Sequence, residues 1–351
     1  MGEGDTRSQA GPRAGQARGR RSVRFLALSG AAVLLVAVAA GCSVPPPPGA
    51  APLRYRDVIF PNLTVTSGLT YGSAPDASGN PVTLTLDLYR PVGDTQTSRP
   101  AIVLVHGGGF VSGSSTNGAM VTMARAFAQR GYVAVSINYR LLGSGSCASE
   151  NPPSQTCVDA AFAAQHDAQA AVRWLRRYAA VYGVDPTRIA IGGGSAGAVT
   201  SLAVAVNSGD VGDSGNPGYS SKVGAAISIS GFLPHSVASF YDPSDSPILM
   251  FNGTADPVVA YTKGVQTAGD LYNAGVAVVF ETLEGGGHVP MRDFGDVIVS
   301  QSVNFTYAVL DLAHAAGQPP AAARAFEREA ARLRAAQPEL AKRLRVAQPR
   351  R

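Results

Sequence analysis

The stretch RIAIGGGSAGAV, residues 188–199, decides the interpretation of the fold because it fits two different strand-to-helix motifs. Read as G-x-G-x-x-G from Gly192, it matches the dinucleotide fingerprint, in which glycines let the backbone approach a pyrophosphate. Read as G-x-S-x-G centred on Ser195, it matches a nucleophile elbow, the sharp turn that presents a reactive serine. Each spacing alone is weak evidence, since the chain has 40 glycines among 351 residues. The rest of the sequence has to distinguish them.

Short apolar strands alternate with helices on both sides of this stretch. Near-continuous apolar strands separated by helices are typical of a parallel sheet buried on both faces, and the β-branched segments before residue 91 predict an antiparallel start. The predicted strands are RYRDVIF (54–60), LTVTSGLTY (63–71), VTLTLDLYR (82–90), AIVLVH (101–106), YVAVSIN (132–138), RIAIG (188–192), VGAAISIS (223–230), PILMFNG (247–253) and VAVVFETL (276–283). The predicted helices lie near 117–130, 159–182, 196–207, 258–274 and 293–316. We therefore expect an α/β fold with a mostly parallel central sheet and helices on both faces.

The position of the stretch argues against the dinucleotide fingerprint. That motif belongs to the first β-α-β unit of its domain, with an acidic residue about 20 positions later at the end of the next strand. Here several predicted strands come first, and Asp210 and Asp213 lie in a loop before the next strand begins. The elbow is the better interpretation.

Three other segments supply what a reactive serine needs. HGGGF, residues 106–110, follows a strand with a glycine-rich turn whose N–H groups are unobstructed. Such donors stabilise the negative charge that develops on a carbonyl oxygen during ester hydrolysis. His288 ends a strand in LEGGGHVP and is the predicted base, and Asp256 follows the strand PILMFNG as its orienting carboxylate. Glycine at 193 and 197 fits the elbow because side chains there would collide with neighbouring backbone.

These motifs together resemble the α/β-hydrolase superfamily, in which the chain order is also Ser, Asp, His. HGGGF, INYRL (137–141) and VDPTRIAIGGGSAG (184–197) look like the carboxylesterases related to hormone-sensitive lipase and to bacterial feruloyl and acetyl esterases. The resemblance covers residues 53–316. It implies Ser195 as the nucleophile, His288 as general base and then acid, Asp256 as the residue that fixes the imidazole, and the N–H groups of Gly108, Gly109 and Ala196 as the oxyanion hole. It also implies supporting positions at His106, Gly107, Gly193 and Gly197.

The same resemblance bears on the substrate. Lipase-like relatives often cover the site with N-terminal helices or with an insertion before the strand that carries the acid. Here the N-terminal part is predicted to contain strands and a linker, and only GFLPHSVASFYDPSD (231–245) separates the strands near 230 and 247. We expect no large cap and an open site that suits short acyl chains or esters presented on a larger molecule, with Phe110 in the pocket wall. A peptidase on the same fold is the alternative that the His-Gly-Gly-Gly loop disfavours. A surface binding protein that keeps the fold without catalysis is the alternative of another class.

Other polar residues have alternative roles. Ser195 fits an ordinary helix N-cap, His106 a second base, and His288 a turn residue. Asp242 and Asp245 are alternative acids, but they precede a strand instead of following it. His166 and Asp167 lie in a predicted helix and are predicted to be structural. His235 and His314 show no metal-ligand spacing, so neither a metal nor an organic cofactor is predicted.

The charge distribution makes nucleic acid an unlikely partner, although the whole chain carries a net charge of +5. The excess of basic residues lies before residue 25 and after residue 317, and residues 25–317 carry a net charge of −5. A nucleic-acid-binding domain is expected to carry a basic patch on its folded part. The sequence leaves the oligomeric state open.

The N-terminus predicts export. Six arginines precede the apolar run Phe25–Ala40, which is about 24 Å long as a helix and short for a bilayer of about 30 Å. The following AAGCS resembles a bacterial lipoprotein signal that would leave Cys42 as the lipid-bearing first residue, although Ala39 replaces the usual leucine. An uncleaved anchor and simple secretion are the alternatives. We predict a signal peptide over 1–41 and a proline-rich tether over 42–52, with an ester substrate and the membrane as partners.

Two further expectations follow from the compartment and the composition. In an oxidising compartment, Cys147 and Cys157 are expected to form a disulfide, with two free thiols as the alternative. The hydrolase-like domain is predicted to span 53–316, followed by a basic, alanine- and arginine-rich tail over 317–351. That tail is interpreted as a solvated helix or a disordered segment, with contact to an anionic membrane as the alternative.

Overall fold

The computed structural model describes residues 51–142, 147 and 153–316. The predicted signal peptide, Cys42, most of the tether and the tail over 317–351 lie outside the described residues. Within the described part, none of the helices combines the length and the apolar character that a membrane crossing requires.

Eight strands form one sheet in the order β1-β2-β4-β3-β5-β6-β7-β8. β1 pairs antiparallel with β2, and β2 antiparallel with β4, while all other neighbours are parallel. The strands are β1 (Leu63–Pro75), β2 (Pro81–Pro91), β3 (Arg99–Val105), β4 (Val133–Ile137), β5 (Val184–Gly194), β6 (Ala225–Ile229), β7 (Ile248–Gly253) and β8 (Val278–Leu283). The helices are α1 (Gly118–Ala128), α2 (Gln155–Arg177), α3 (Ala179–Tyr182), α4 (Ala196–Val206), α5 (Tyr261–Asn273), α6 (Met291–Val309) and α7 (Leu312–Ala315). The predicted fold class is confirmed.

The central strands of the sheet are buried on both faces because they supply apolar side chains in both directions. In β3, Ile102 and Leu104 belong to the core formed with α1, α6 and α7. Val103 and Val105 belong to the core on the opposite face, formed with α2, α4 and α5. Alternation of side chains along a strand produces this division. The site is therefore built at the carboxyl ends of strands that are fixed from both sides.

The prediction of a strand over 54–60 is wrong. This segment is a turn, in which the N–H of Leu53 donates to Asp57 Oδ2 at 2.7 Å and the N–H of Asp57 donates to Leu53 O at 2.8 Å. Tyr55 is buried in the left-handed region, with φ +68°, and its N–H donates to Arg130 O at 2.9 Å. The alternating apolar pattern thus reflects packing against the end of α1.

Two predicted helices are each divided in the structure. The helix predicted over 159–182 becomes α2 and α3, with Tyr178 between them, and the helix predicted over 293–316 becomes α6 and α7. Asp311, which precedes α7, has φ +50°, a left-handed conformation that a continuous right-handed helix excludes. The residues on both sides of each break follow a helical pattern, so the sequence did not predict the breaks.

Candidate active site

Ser195 occupies a sharp turn between β5 and α4. Its backbone has φ +54° and ψ −120°, and its side chain makes no capping hydrogen bond to α4. Its N–H donates to Ile229 O at the end of β6, at 2.9 Å. The interpretation of Ser195 as an ordinary N-cap is therefore wrong, because an N-cap serine has extended backbone and accepts from the first turn of its helix.

The two flanking glycines are required by close backbone approach. A Cβ atom on Gly193 would overlap the carbonyl of Gly197, and a Cβ atom on Gly197 would overlap the carbonyl of Val105. Backbone atoms of a buried strand and helix cannot move aside as a flexible side chain does. The turn that holds Ser195 therefore admits only glycine at both positions.

Gly197→Ala is expected to destabilise the fold by about 2 kcal/mol or more and to lower the melting temperature by several degrees, since overpacking against backbone leaves no low-energy relaxation. Thermal unfolding measures this. Gly209→Ala is the matched control, because a Cβ atom there meets nothing within 4 Å. Equal melting temperatures for the two variants would contradict the steric argument.

Three predicted residues, far apart in the sequence, are in direct contact. His288 Nε2 lies 2.9 Å from Ser195 Oγ, and His288 Nδ1 lies 2.9 Å from Asp256 Oδ2 and 3.1 Å from Oδ1. A carboxylate only accepts hydrogen bonds, so Nδ1 carries the proton and Nε2 is free to accept from the serine hydroxyl. The Asp256 side chain is 1% exposed and that of His288 is 23% exposed. The buried Asp256 thus fixes the imidazole on one side, while the ring remains partly exposed at the site.

The backbone fixes the orientation of Asp256. Its Oδ1 accepts from the N–H groups of Val258 and Val259, at 2.8 and 2.9 Å. Both are in the loop that follows β7, at the carboxyl edge of the sheet. These two hydrogen bonds fix the Asp256 carboxylate in the orientation in which it faces His288.

The glycine-rich loop after β3 lies against the elbow. Gly108 and Gly109 have φ of +120° and +60°, and Cβ on Gly107 would approach Gly194 O at 2.9 Å and Ser195 Cβ at 3.1 Å. Among the described residues, no carbonyl or side chain accepts from the N–H groups of Gly108, Gly109 or Ala196. Ala196 is also the first residue of α4, where N–H groups and the helix dipole favour negative charge. These are the properties of an oxyanion site.

His106 does not contact Ser195 and is not placed as a second base. Its ring is fully buried, stacks on Tyr139 at 4.3 Å between centroids, and donates from Nδ1 to Gly107 O at 2.7 Å. Burial lowers the pKa of this imidazole. Tyr139 also donates its hydroxyl to His106 O at 3.0 Å. Tyr139 was not singled out from the sequence, although it lies in the INYRL motif.

An apolar pocket opens beside Ser195, with a volume of about 570 Å³ that includes its mouth. Its lining includes Phe110, as expected, and none of the described lining residues has a charged side chain. The predicted disulfide is present between Cys147 and Cys157, with 5.6 Å between the Cα atoms, and both cysteines line the same pocket. The remaining lining residues are Gly109, Pro153, Val158, Ala161, Ser195, Ala196, Val199, Phe232, Pro234, Val237, Val258 and Val259.

The alternative residues lie elsewhere. Asp242 and Asp245 form a turn of their own, in which the N–H of Asp242 donates to Asp245 Oδ2 at 3.0 Å. Asp167 is buried and accepts from the Arg140 N–H at 2.8 Å and from its guanidinium, a structural role as expected. His166 and His235 each pair with a surface aspartate, and His314 lies in α7. Over 51–142 and 153–316, no group of three potential metal ligands occurs.

Sequence comparison finds a matching family model and curated relatives. The BD-FAE family model matches residues 86–235. Phenmedipham hydrolase of Pseudarthrobacter oxydans is 37% identical over 124 residues, which are 35% of this chain and 23% of that protein. Carboxylesterase NlhH of Mycobacterium tuberculosis is 34% identical over 150 residues, which are 43% of this chain and 41% of that protein. The chain thus spans less than half the length of these curated relatives.

Solved structures match over a larger share. A truncated carbohydrate esterase from gut microbiota superposes with a TM-score of 0.52 and 25% identity, over 68% of this chain and 96% of that one. Thermogutta terrifontis esterase 2 phosphorylated by paraoxon superposes with a TM-score of 0.51 and 27% identity, over 75% of this chain and 95% of that one. The chain has the fold of these α/β-hydrolase esterases. Within this fold, the segment between β6 and β7 consists of turns and irregular backbone without a helix, as expected for a site without a large cap.

Proposed function

We propose that this α/β-hydrolase hydrolyses carboxylic esters through an acyl-enzyme intermediate. The observation that carries the proposal is the continuous hydrogen-bonded chain from Ser195 Oγ through His288 to Asp256, with separations of 2.9 and 2.9 Å. A serine hydroxyl is a weak nucleophile, and an adjacent base oriented by a third group activates it. The esterases among the relatives and structural neighbours support the same reaction.

In the proposed reaction, Ser195 Oγ attacks the ester carbonyl carbon while His288 Nε2 takes the hydroxyl proton. The negative charge that develops on the carbonyl oxygen is stabilised by the N–H groups of Gly108, Gly109 and Ala196. When the tetrahedral intermediate collapses, the imidazolium gives its proton to the departing alcohol, and an acyl-serine remains. Water then loses a proton to Nε2 and attacks the acyl carbon, which releases the carboxylic acid and restores the serine.

The pocket favours esters whose acyl group is small, uncharged and apolar. Phe110, Val158 and Val237 supply apolar surface next to Ser195, and none of the lining side chains that the structure describes offers a partner for a charge. Burying an unpaired charge there would cost more than apolar contact returns. The described segment between β6 and β7 contains no helix that would cover the site, so we expect a long acyl chain to remain largely in water. The proposed substrates are therefore short-chain esters.

A series of p-nitrophenyl esters tests this function. The acetate and butyrate esters are expected to give values of kcat/KM at least about tenfold above those of the decanoate ester, since no helix in the described segment between β6 and β7 covers a long acyl chain. The acetyl p-nitroanilide, which carries an amide in place of the ester, tests the peptidase alternative in the same assay. Preference for the decanoate ester would contradict the proposed substrate class, and faster cleavage of the anilide would contradict esterase function.

We further propose that the protein is exported and anchored to the bacterial membrane by lipid on Cys42. The basic region, the apolar run Phe25–Ala40 and the AAGCS sequence support this proposal. The disulfide between Cys147 and Cys157 supports an oxidising compartment.

Metabolic labelling with an alkynyl palmitate analogue tests the anchor. The wild-type chain is expected to incorporate the label and to fractionate with membranes, and Cys42→Ala is expected to do neither. Ser43→Ala, at the neighbouring position, is the matched control and should behave as the wild type. Label in the Cys42→Ala variant at the wild-type level would contradict lipidation at this residue.

A further inference from the structure

The carboxyl end of β6 and the residue after it are hydrogen-bonded to Ser195 and to the residue that follows His288. Ile229 O accepts the N–H of Ser195 at 2.9 Å. The next residue, Ser230, accepts the N–H of Val289 on its hydroxyl oxygen, also at 2.9 Å, and Val289 directly follows His288. Two consecutive residues thus hold the nucleophile and the residue that follows the base, although Ser195 and His288 are 93 residues apart in the chain.

Ser230 is itself held rigidly. It is fully buried, and its N–H donates to Phe251 O in β7 at 2.7 Å. Its backbone has φ +55°, a left-handed conformation that is uncommon for residues other than glycine. A hydroxyl on such a fixed backbone is a fixed acceptor, because the surrounding strands determine where it points.

Val289 needs that acceptor. Its φ is +45°, which is unfavourable for a β-branched residue, and such a conformation persists only where several contacts enforce it. One contact is the hydrogen bond to Ser230. Another is packing of the Val289 side chain on the elbow, since a Cβ atom on Gly194 would approach Val289 Cγ1 at 3.2 Å. Losing the hydrogen bond leaves the residue after His288 with strain and one fewer constraint.

We propose that Ser230 is a positioning residue that sets the contact between His288 Nε2 and Ser195 Oγ. This inference rests on the proposed function, and it assigns Ser230 no contact with substrate. Proton transfer between serine and imidazole requires hydrogen-bond geometry, and a displacement of about 1 Å costs up to about 100-fold in rate. Loss of the Ser230 hydroxyl should therefore lower turnover and leave substrate binding nearly unchanged.

Ser230→Ala and Ser230→Gly, compared with Ser228→Ala, test the inference. The glycine variant removes the hydroxyl without placing a Cβ atom at positive φ, so it separates the hydroxyl from backbone strain. Ser228 is a matched control, because it is fully buried on the same strand and its hydroxyl has no partner in the described part of the chain. Both Ser230 variants are expected to lower kcat on p-nitrophenyl butyrate by about 10-fold to 100-fold with KM changed by less than about twofold. Ser228→Ala should match the wild type.

Amide hydrogen exchange at Val289 gives a second readout that does not depend on turnover. Its protection is expected to fall in both Ser230 variants and to persist in Ser228→Ala. An active wild type with equal kcat in the Ser230 and Ser228 variants, or unchanged protection of Val289, overturns the positioning role alone. A folded wild type that hydrolyses no ester overturns the proposed function, and the positioning role with it.

Discussion

His288→Ala is expected to lower kcat on p-nitrophenyl butyrate by about 10⁴-fold to 10⁶-fold, with a small change in KM. The imidazole has Nε2 at 2.9 Å from Ser195 Oγ, and no other histidine contacts this hydroxyl in the described residues. Without it, neither the attack of the serine nor the attack of water on the acyl-enzyme has a base. Steady-state kinetics on the purified variants measures the effect.

The matched control for this variant is His166→Ala. His166 also pairs with an aspartate, Asp210, at 3.1 Å, but on the surface away from the pocket. It should retain wild-type kcat. Because residues that act as a unit have non-additive effects, the double variant Ser195→Ala, His288→Ala should be no slower than either single variant. A His288→Ala variant within tenfold of the wild type would exclude the imidazole as the base.

Asp256→Asn is expected to lower kcat by about 10⁴-fold while leaving the fold intact. The amide oxygen of asparagine can still accept from the N–H groups of Val258 and Val259, which Asp256 Oδ1 now binds. That orientation places the amide NH₂ against His288 Nδ1. The imidazole must then accept at Nδ1 and carry its proton on Nε2, so it presents a donor to Ser195 where a base is needed.

This tautomer effect separates orientation from simple loss of structure. The melting temperature of Asp256→Asn should stay near that of the wild type, whereas Asp256→Ala should lower it, because the alanine leaves two backbone N–H groups without their acceptor. Asp210→Asn changes the same residue type in the surface pair with His166 and should keep full activity. Wild-type turnover in Asp256→Asn would show that the imidazole does not depend on this carboxylate.

The sequence predicted the sheet and the serine-histidine-aspartate contact because both rest on local patterns that the fold preserves. Ser195, Asp256 and His288 each follow a buried strand, and the carboxyl ends of neighbouring parallel strands meet at one edge. The prediction of a strand over 54–60 used the same kind of local pattern and failed, because apolar alternation indicates that a segment is buried but does not identify the element against which it packs. Tyr55 is buried, but its backbone partner is the end of α1.

The supporting residues were not predictable because their partners are distant in the chain. Ser230 is one of two serines in ISIS (227–230), and nothing local indicates that its hydroxyl accepts from a residue 59 positions later. Tyr139 likewise acts on His106 across 33 positions. Hydrogen bonds of this kind are fixed by tertiary packing and leave no periodic signal in the sequence.

Labelling with a fluorophosphonate probe, followed by mapping of the modified peptide, tests the central proposal most directly. The probe reacts only with a serine activated by its surroundings, and Thermogutta terrifontis esterase 2 has been solved phosphorylated by the organophosphate paraoxon. We predict modification at Ser195 in the wild-type protein and none in a folded Ser195→Ala variant. No modification of the folded wild type, or modification at another serine that persists in Ser195→Ala, would contradict the assignment of Ser195 as the nucleophile.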